Sequence, residues 1–161
     1  MQAKTHLAAG LLVGILVSIQ TKLNLESSFI LSVASMIGSL IPDIDHPRST
    51  LGSKIKPIST GISKVFGHRG ITHSLLMVFL LWFLMISYHL GVVYEGIIVG
   101  YSSHLFGDWL TVFGIPLFWP LRRKFSSPLA FKTGKGFEKF VFVILTMLII
   151  NFGYILVQKT Y

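Results

Sequence analysis

Residues 137–157 read FEKFVFVILTMLIINFGYILV, a run whose only charges, Glu138 and Lys139, stand at its start. A bilayer hydrocarbon core of about 30 Å takes about 20 helical residues, so this run predicts a membrane-spanning helix. Working back along the chain, 73–90 and 92–112 are apolar over comparable lengths. The runs at 5–20 and 27–41 are shorter, and either cross with little tilt, sit partly in the interface or pair as a helical hairpin. The expected fold is all-α, an integral membrane helical bundle of about five helices forming one membrane domain over 1–161. Gly10, Gly14, Gly38 and Gly100 fall inside these runs, where small residues let helices approach closely.

Composition agrees. Hydrophobic residues make up 52% of the 161 and charged residues 12%, half the roughly 25% of a soluble domain, so the chain lacks the polar surface such a domain needs. The absence of cysteine excludes disulfides, thiolate zinc sites and a cysteine nucleophile. Lys4 precedes the first run and no small-x-small cleavage site follows it, which predicts an uncleaved first membrane helix.

Two connectors separate the runs. In 46–72, Ile55, Ile58, Ile62 and Phe66 recur at helical spacing among lysines, the pattern of an amphipathic helix lying on the membrane surface. In 113–136, Ile115, Leu117, Phe118 and Trp119 precede Arg122, Arg123 and Lys124, as in an interfacial loop. If all five runs span, twelve of the fourteen basic residues fall on one side, leaving Lys22 and Lys159 on the other. The positive-inside rule then places the N-terminus and both connectors in the cytoplasm.

On that same side lie nearly all of the chain's chelating side chains. His6 opens the first run; Asp43, Asp45 and His46 follow the second; His68 and His73 precede the third; His104 and Asp108 end the fourth; Glu138 opens the fifth. His104 and Asp108 are four apart and share a helix face. Pro42 and Pro47 bias 43–46 toward a turn that can fan several ligands around a point. Gly67 and Gly70 bracket His68 and Arg69, and Thr72 is placed to cap the helix that His73 begins. Individually these groups have ordinary readings: a hydrogen-bonded pair, a solvated helix end, or Glu138 complementing a helix dipole. Together they need compensation, because an ionisable group in a membrane segment costs at least about 2.5–3.5 kcal/mol. A bound cation supplies it, and a His/carboxylate donor set suits zinc first, with manganese or iron as alternatives. Nine candidates exceed the four of one tetrahedral zinc, which predicts two or more divalent ions. His89 and Glu95 fall on the other side and read as structural.

The ordered motifs Thr-His-Leu-Ala-Ala-Gly (5–10), Pro-Asp-Ile-Asp-His (42–46), His-Arg-Gly-Ile-Thr-His-Ser (68–74) and His-Leu-Phe-Gly-Asp (104–108) resemble a bacterial family of membrane-bound metal-dependent hydrolases, also labelled LexA-binding, inner-membrane-associated hydrolases. The resemblance implies a helical inner-membrane protein and a functional set of His6, Asp43, Asp45, His46, His68, His73, His104, Asp108 and Glu138. Within it, Asp43, His73, His104 and Asp108 are the first choices as ligands. Asp45 or Glu138 is the choice for bridging ligand or general base, and His68 for protonating a leaving oxygen. The pattern is more loosely similar to zinc-dependent phospholipase C, although this chain is shorter and far more apolar.

The leading functional expectation is metal-dependent hydrolysis of a phosphoester in a membrane lipid or lipid-linked phosphate at the cytoplasmic face, phosphatase- or phospholipase C-like. Arg69 is a candidate to hold a phosphoryl oxygen and equally a positive-inside anchor. The alternative is a non-enzymatic membrane anchor with a structural metal site and a regulatory protein partner. A metal-transport path fits poorly, since the polar groups crowd one face. No nucleic-acid module, Walker loop, dinucleotide fingerprint or Gly-x-Ser-x-Gly elbow is present, so direct nucleic-acid binding is not expected.

Overall fold

The structure, a computed structural model, describes residues 1–67 and 69–160. Its regular elements are helical: α1 (Ala3–Thr21), α2 (Leu25–Gly38), α3 (Lys56–Phe66), α4 (Leu75–Ser87), α5 (Val92–Trp109) and α6 (Gly136–Thr160), with 3-10 turns at Pro42–Asp45 and Ile71–His73. Among the described residues there is no strand, only isolated bridges that pair Thr111 with Phe131 and Ile115 with Phe125 in the second connector. Five apolar helices plus α3 make the bundle that the sequence predicts.

Local chemistry sets the breaks. Lys22 takes a left-handed conformation and its N–H donates to Ser18 O, ending α1; the Asn24 side chain accepts from Ser27 N at 2.8 Å and starts α2. Pro57 sits in the first turn of α3, where its missing N–H costs nothing. The 73–90 run yields a helix of only 13 residues, because Ile71–His73 winds as a 3-10 turn and Tyr88 ends the helix before His89 at φ 48°. Thr72 is therefore not the cap expected of it; its hydroxyl turns to Asp45.

Three helical stretches are long and apolar enough to cross a membrane: Ala3–Thr21, Leu25–Asp45 and Gly136–Lys159. The first two, short as sequence runs, thus join the spans, while α4 is a shorter apolar helix. α5 carries Glu95, Ser102, Ser103, His104 and Asp108, and packs against both α1 and α2. Ser103, His104 and Asp108 are buried by its neighbours while Glu95, at the far end, is exposed, and α6 exposes most of its apolar side chains.

The helices meet through small residues rather than large ones. Ser18, Ser28, Ser35 and Ser39 are fully buried, and Ser35 Oγ donates to Gly10 O at 2.7 Å across α1 and α2. Lipid tails are as apolar as leucine, so burying leucine between such helices gains little; close backbone approach and hydrogen bonds do the holding. Gly100 shows how close: a Cβ there would lie 1.8 Å from Ser35 O. At the site end, Tyr101, Leu105 and Ile115 form an apolar cluster with Met77 and Leu117 against it, and the Tyr101 hydroxyl donates to Thr72 O.

α3 keeps the amphipathic character expected of it. Ile58, Val65 and Phe66 are exposed, and only Ser59 is buried. This apolar edge beside Lys56 and Lys64 fits a helix lying along the bilayer surface.

Gly100→Ala is expected to cost about 1–3 kcal/mol by forcing α2 and α5 apart. Gly153→Ala, where an added Cβ meets nothing within 4 Å, is expected to be neutral or mildly stabilising. Thermal midpoints of the two variants in detergent check this; equal effects would contradict the close packing.

Candidate metal centre

Four elements end together at one pole of the bundle. The 3-10 turn after α2 brings Asp43 and Asp45, the turn before α4 brings His73, and the last turns of α5 bring His104 and Asp108. The first turns of α1 bring His6 to the same place, where its ring stacks on His104 with centroids 3.7 Å apart and planes 12° apart. His6, Asp45, His73, His104 and Asp108 are each at most 1% exposed, and Asp43 is partly exposed.

Hydrogen bonds fix the imidazoles. His104 Nδ1 lies 2.6 Å from Ser39 O, which can only accept, so Nδ1 carries the proton and Nε2 the lone pair. His73 Nδ1 lies 3.1 Å from Thr72 Oγ1 and 3.3 Å from Asp45 Oδ2, which likewise makes Nε2 its acceptor nitrogen. The two Nε2 atoms face each other at 3.3 Å. Asp43 Oδ1 is 3.8 Å from each of them, and Asp108 Oδ2 is 3.8 Å from His73 Nε2 and 3.9 Å from His104 Nε2.

Both imidazole lone pairs thus face two carboxylate oxygens, Asp43 Oδ1 and Asp108 Oδ2. A tetrahedral ion with bonds of about 2.0–2.2 Å needs donor–donor edges of about 3.3–3.6 Å. The His73–His104–Asp43 triangle has edges of 3.3–3.8 Å, slightly wider than a bound ion requires, and Asp108 Oδ2 lies 3.8–3.9 Å from the same two nitrogens but falls in a separate ligand group from Asp43. Facing lone pairs and carboxylates repel. Arg69 offsets Asp108, and a proton or a metal ion between the imidazoles offsets the remaining donors. At His73, ahead of α4, burial pulls the pKa down, but hydrogen bonds to the Asp43 and Asp45 carboxylates outweigh it and set the pKa above that of free imidazole, so a proton on Nε2 competes with a metal ion for the same place.

Asp108 faces two ways. Its Oδ2 points to the imidazole pair and forms an ion pair with Arg69 Nη2 at 2.6 Å, while its Oδ1 is 3.3 Å from His6 Nε2 and contacts the Met1 amine. Neither ring nitrogen of His6 makes a well-formed hydrogen bond. Two overlapping ligand groups result, His6–His104–Asp108 and Asp43–His73–His104. His104 has one acceptor nitrogen and serves one ion, so Asp108 is the carboxylate placed to bridge to a second ion beside His6.

The other candidates sit differently. Asp45 receives Arg69 N at 2.9 Å and the Thr72 hydroxyl, and its position behind His73 is that of a carboxylate orienting a ligand imidazole. Glu138 Oε1 accepts Gln2 N at 2.6 Å and its Oε2 accepts Gly134 N, so it joins the start of α6 to the start of α1, outside both ligand groups. His46 Nδ1 accepts Arg48 N at 3.1 Å within its own loop. His68 lies outside the described residues. Arg69, at φ 58°, reaches over the cluster, donating Nη1–H to Gly114 O at 3.2 Å while Nη2 meets Asp108. Gly70 makes that turn possible, since a Cβ there would lie 2.1 Å from Phe66 O. Ser39 O and the Met1 amine escaped the sequence reading; a backbone carbonyl and a chain terminus carry no residue-type signal.

Asp45→Asn is expected to weaken metal binding by about 10–100-fold, the usual effect of losing an orienting carboxylate, while His46→Ala leaves it within about twofold. Competition against a zinc chelator measures both; a larger loss in His46→Ala than in Asp45→Asn would reverse the assignment.

The profile of the YdjM inner membrane protein family matches residues 1–160. Over 118 residues the chain is 41% identical to inner membrane protein YdjM of Escherichia coli strain K12, covering 67% of this chain and 59% of that protein. This chain thus spans less than two thirds of that relative's length. It is 37% identical over 128 residues to the uncharacterized protein YvsG of Bacillus subtilis strain 168, covering 79% of this chain and 80% of that one. These names state no hydrolase or phospholipase C activity. No solved structure matches. With its apolar helices and a family match over nearly its whole length, this chain belongs to the YdjM inner membrane protein family.

Proposed function

We propose that this protein is a multi-pass, membrane-embedded metal-dependent hydrolase that cleaves a phosphoester in a phospholipid or lipid-linked phosphate at the cytoplasmic face of the inner membrane. The observation that carries this reading is the cage of His73 Nε2, His104 Nε2, Asp43 Oδ1 and Asp108 Oδ2. A purely structural role would pair buried acceptors with donors; Arg69 does this for Asp108 Oδ2, whereas the Nε2 atoms of His73 and His104 and Asp43 Oδ1 face one another. The cytoplasmic assignment rests on the charge asymmetry, with the basic connectors on the site's side.

A divalent ion held by these four residues, with zinc preferred for its donor set and a second one between Asp108 and His6, would supply Lewis-acid charge to a phosphoryl oxygen and an attacking water. The protein supplies the rest. Ser39 O and Asp45 hold the two imidazoles in their ligand tautomers. Arg69, already paired with Asp108, presents a guanidinium whose fork matches phosphate oxygens. Asp43, the partly exposed member, marks the side from which substrate and water reach the site.

Lipid as the substrate class is supported by an apolar groove of about 730 Å³ between α1, α5 and α6. Leu12, Val13, Phe106 and Leu145 line it, and its inner end reaches Met1 and Gly107, next to His6. An acyl chain lying there would bring its headgroup to the ligand cluster.

The test is release of phosphate or phosphorylated headgroup by purified protein reconstituted with zinc or manganese, from a panel of phospholipids, lipid phosphates and soluble phosphoesters. Hydrolysis of a lipid substrate, reduced at least about 100-fold in His104→Ala, is expected, since a catalytic metal contributes several kcal/mol. Turnover of soluble phosphoesters alone would overturn the lipid assignment. No turnover of any phosphoester by metal-loaded protein would overturn the reaction and leave the membrane-anchor reading.

A further inference from the structure

A second cleft, of about 440 Å³, opens between the C-terminal end of α3 and the loop 116–124. Lys64, Arg69, Arg122 and Lys124 line it, no acidic residue does, and Phe66 and Trp119 form part of its wall. The wall is fixed: the Phe66 and Trp119 rings meet edge to face with centroids 6.4 Å apart, tying α3 to the loop. Lys64, Arg122 and Lys124 make no ion pair among the described residues, so their charges converge without a counter-ion from the chain. Their neighbour Arg123 is spent elsewhere, stacked over Phe125 at 5.6 Å from the ring centroid and outside the cleft.

Like charges gathered in one concavity repel and focus a positive potential, which an anion relieves. The surroundings of the cleft narrow the anion. Its rim carries exposed Val65 and Phe66, and exposed Phe118 and Leu121 lie in the facing loop. Apolar and aromatic side chains beside basic ones place a surface at the headgroup layer of a bilayer, where phosphate is the prevailing anion. Arg69 joins the cleft to the metal cage, because the guanidinium that lines the cleft also pairs with Asp108.

We propose that this cleft is a phosphate-binding subsite that seats the phosphate-bearing headgroup of a membrane lipid beside the metal cage, with Lys64, Arg122 and Lys124 as its charge donors. As a binding site it stands on its own geometry; as a specificity site it rests on the hydrolase reading, in which it selects substrates with an anionic headgroup over zwitterionic or neutral ones.

The test is calorimetric titration of the full chain in detergent with two probes, inorganic phosphate and dihexanoyl phosphatidate kept below its micelle concentration. Wild type is compared with the Arg122→Gln/Lys124→Gln double variant, Arg123→Gln and His104→Ala. Losing two charge-assisted contacts is expected to weaken binding at least about tenfold in the double variant, with Arg123→Gln within about twofold of wild type. Binding of phosphatidate alone makes the lipid headgroup the ligand, and equal binding of both probes makes the phosphate group itself sufficient. His104→Ala is expected to retain binding, which separates this subsite from the metal cage and from any failure of the hydrolase reading. The proposal is overturned if wild type binds neither probe, if Arg123→Gln loses as much as the double variant, or if binding disappears in His104→Ala but survives in the double variant.

Discussion

Two imidazole nitrogens, each with its lone pair turned inward, lie 3.3 Å apart on buried rings, with a carboxylate oxygen from the partly exposed Asp43 and another from Asp108 within 3.9 Å. Arg69 and the Met1 amine offset Asp108, but the arrangement of two inward lone pairs beside Asp43 stays unfavourable without a proton or a metal ion. The surrounding structure maintains it nonetheless. Ser39 O and Asp45 fix the two rings, Arg69 steadies Asp108, and the ring of His6 stacks on His104. A cluster assembled from α1, α5 and two 3-10 turns is also what ties these elements at one pole, so the same cation would hold both the site and the fold.

The way the helices pack makes that pole possible. Serine and glycine at the α1–α2–α5 contacts let the backbones approach until a Cβ at Gly100 would strike Ser35 O. Close axes bring His6 over His104 and put Ser39 O within reach of His104 Nδ1. Large side chains at these positions would separate the donors by more than an ion can bridge. In this bundle the polar, finely packed part is inside, and the large apolar residues of α6 face outward. That inversion suits a lipid environment, in which large apolar contacts between helices contribute little.

Much of this was legible in the sequence, and the reasons differ by residue. The apolar runs gave the helices, because in lipid the backbone has few other ways to satisfy itself. His104 and Asp108 announced themselves as a pair four apart within an apolar stretch, and Asp43 by its place after Pro42. Spacing could not tell Asp43 from Asp45. A 3-10 turn sends alternate side chains in different directions, so one carboxylate faces the cage and the other backs His73. Nor could it separate His46 from the set, since adjacency in the chain says nothing of the loop that turns its Nδ1 to Arg48. Glu138 was legible as a group near a helix start, but its partner, the start of a different helix, is a tertiary fact. Span lengths were misjudged for a similar reason. The short run 27–41 extends as a helical stretch through Asp45, while the longer 73–90 is cut at both ends by turns.

The account stands or falls on whether the cage holds a metal. The measurement that asks this most directly is elemental analysis of the protein purified from membranes without chelator, reported as ions per chain. At least one equivalent of zinc, manganese or iron, retained through extensive dialysis and lost in a His73→Ala/Asp43→Ala variant that still folds, is the predicted result. A wild-type protein that is well folded yet binds no such ion, even after incubation with each of the three, would contradict it.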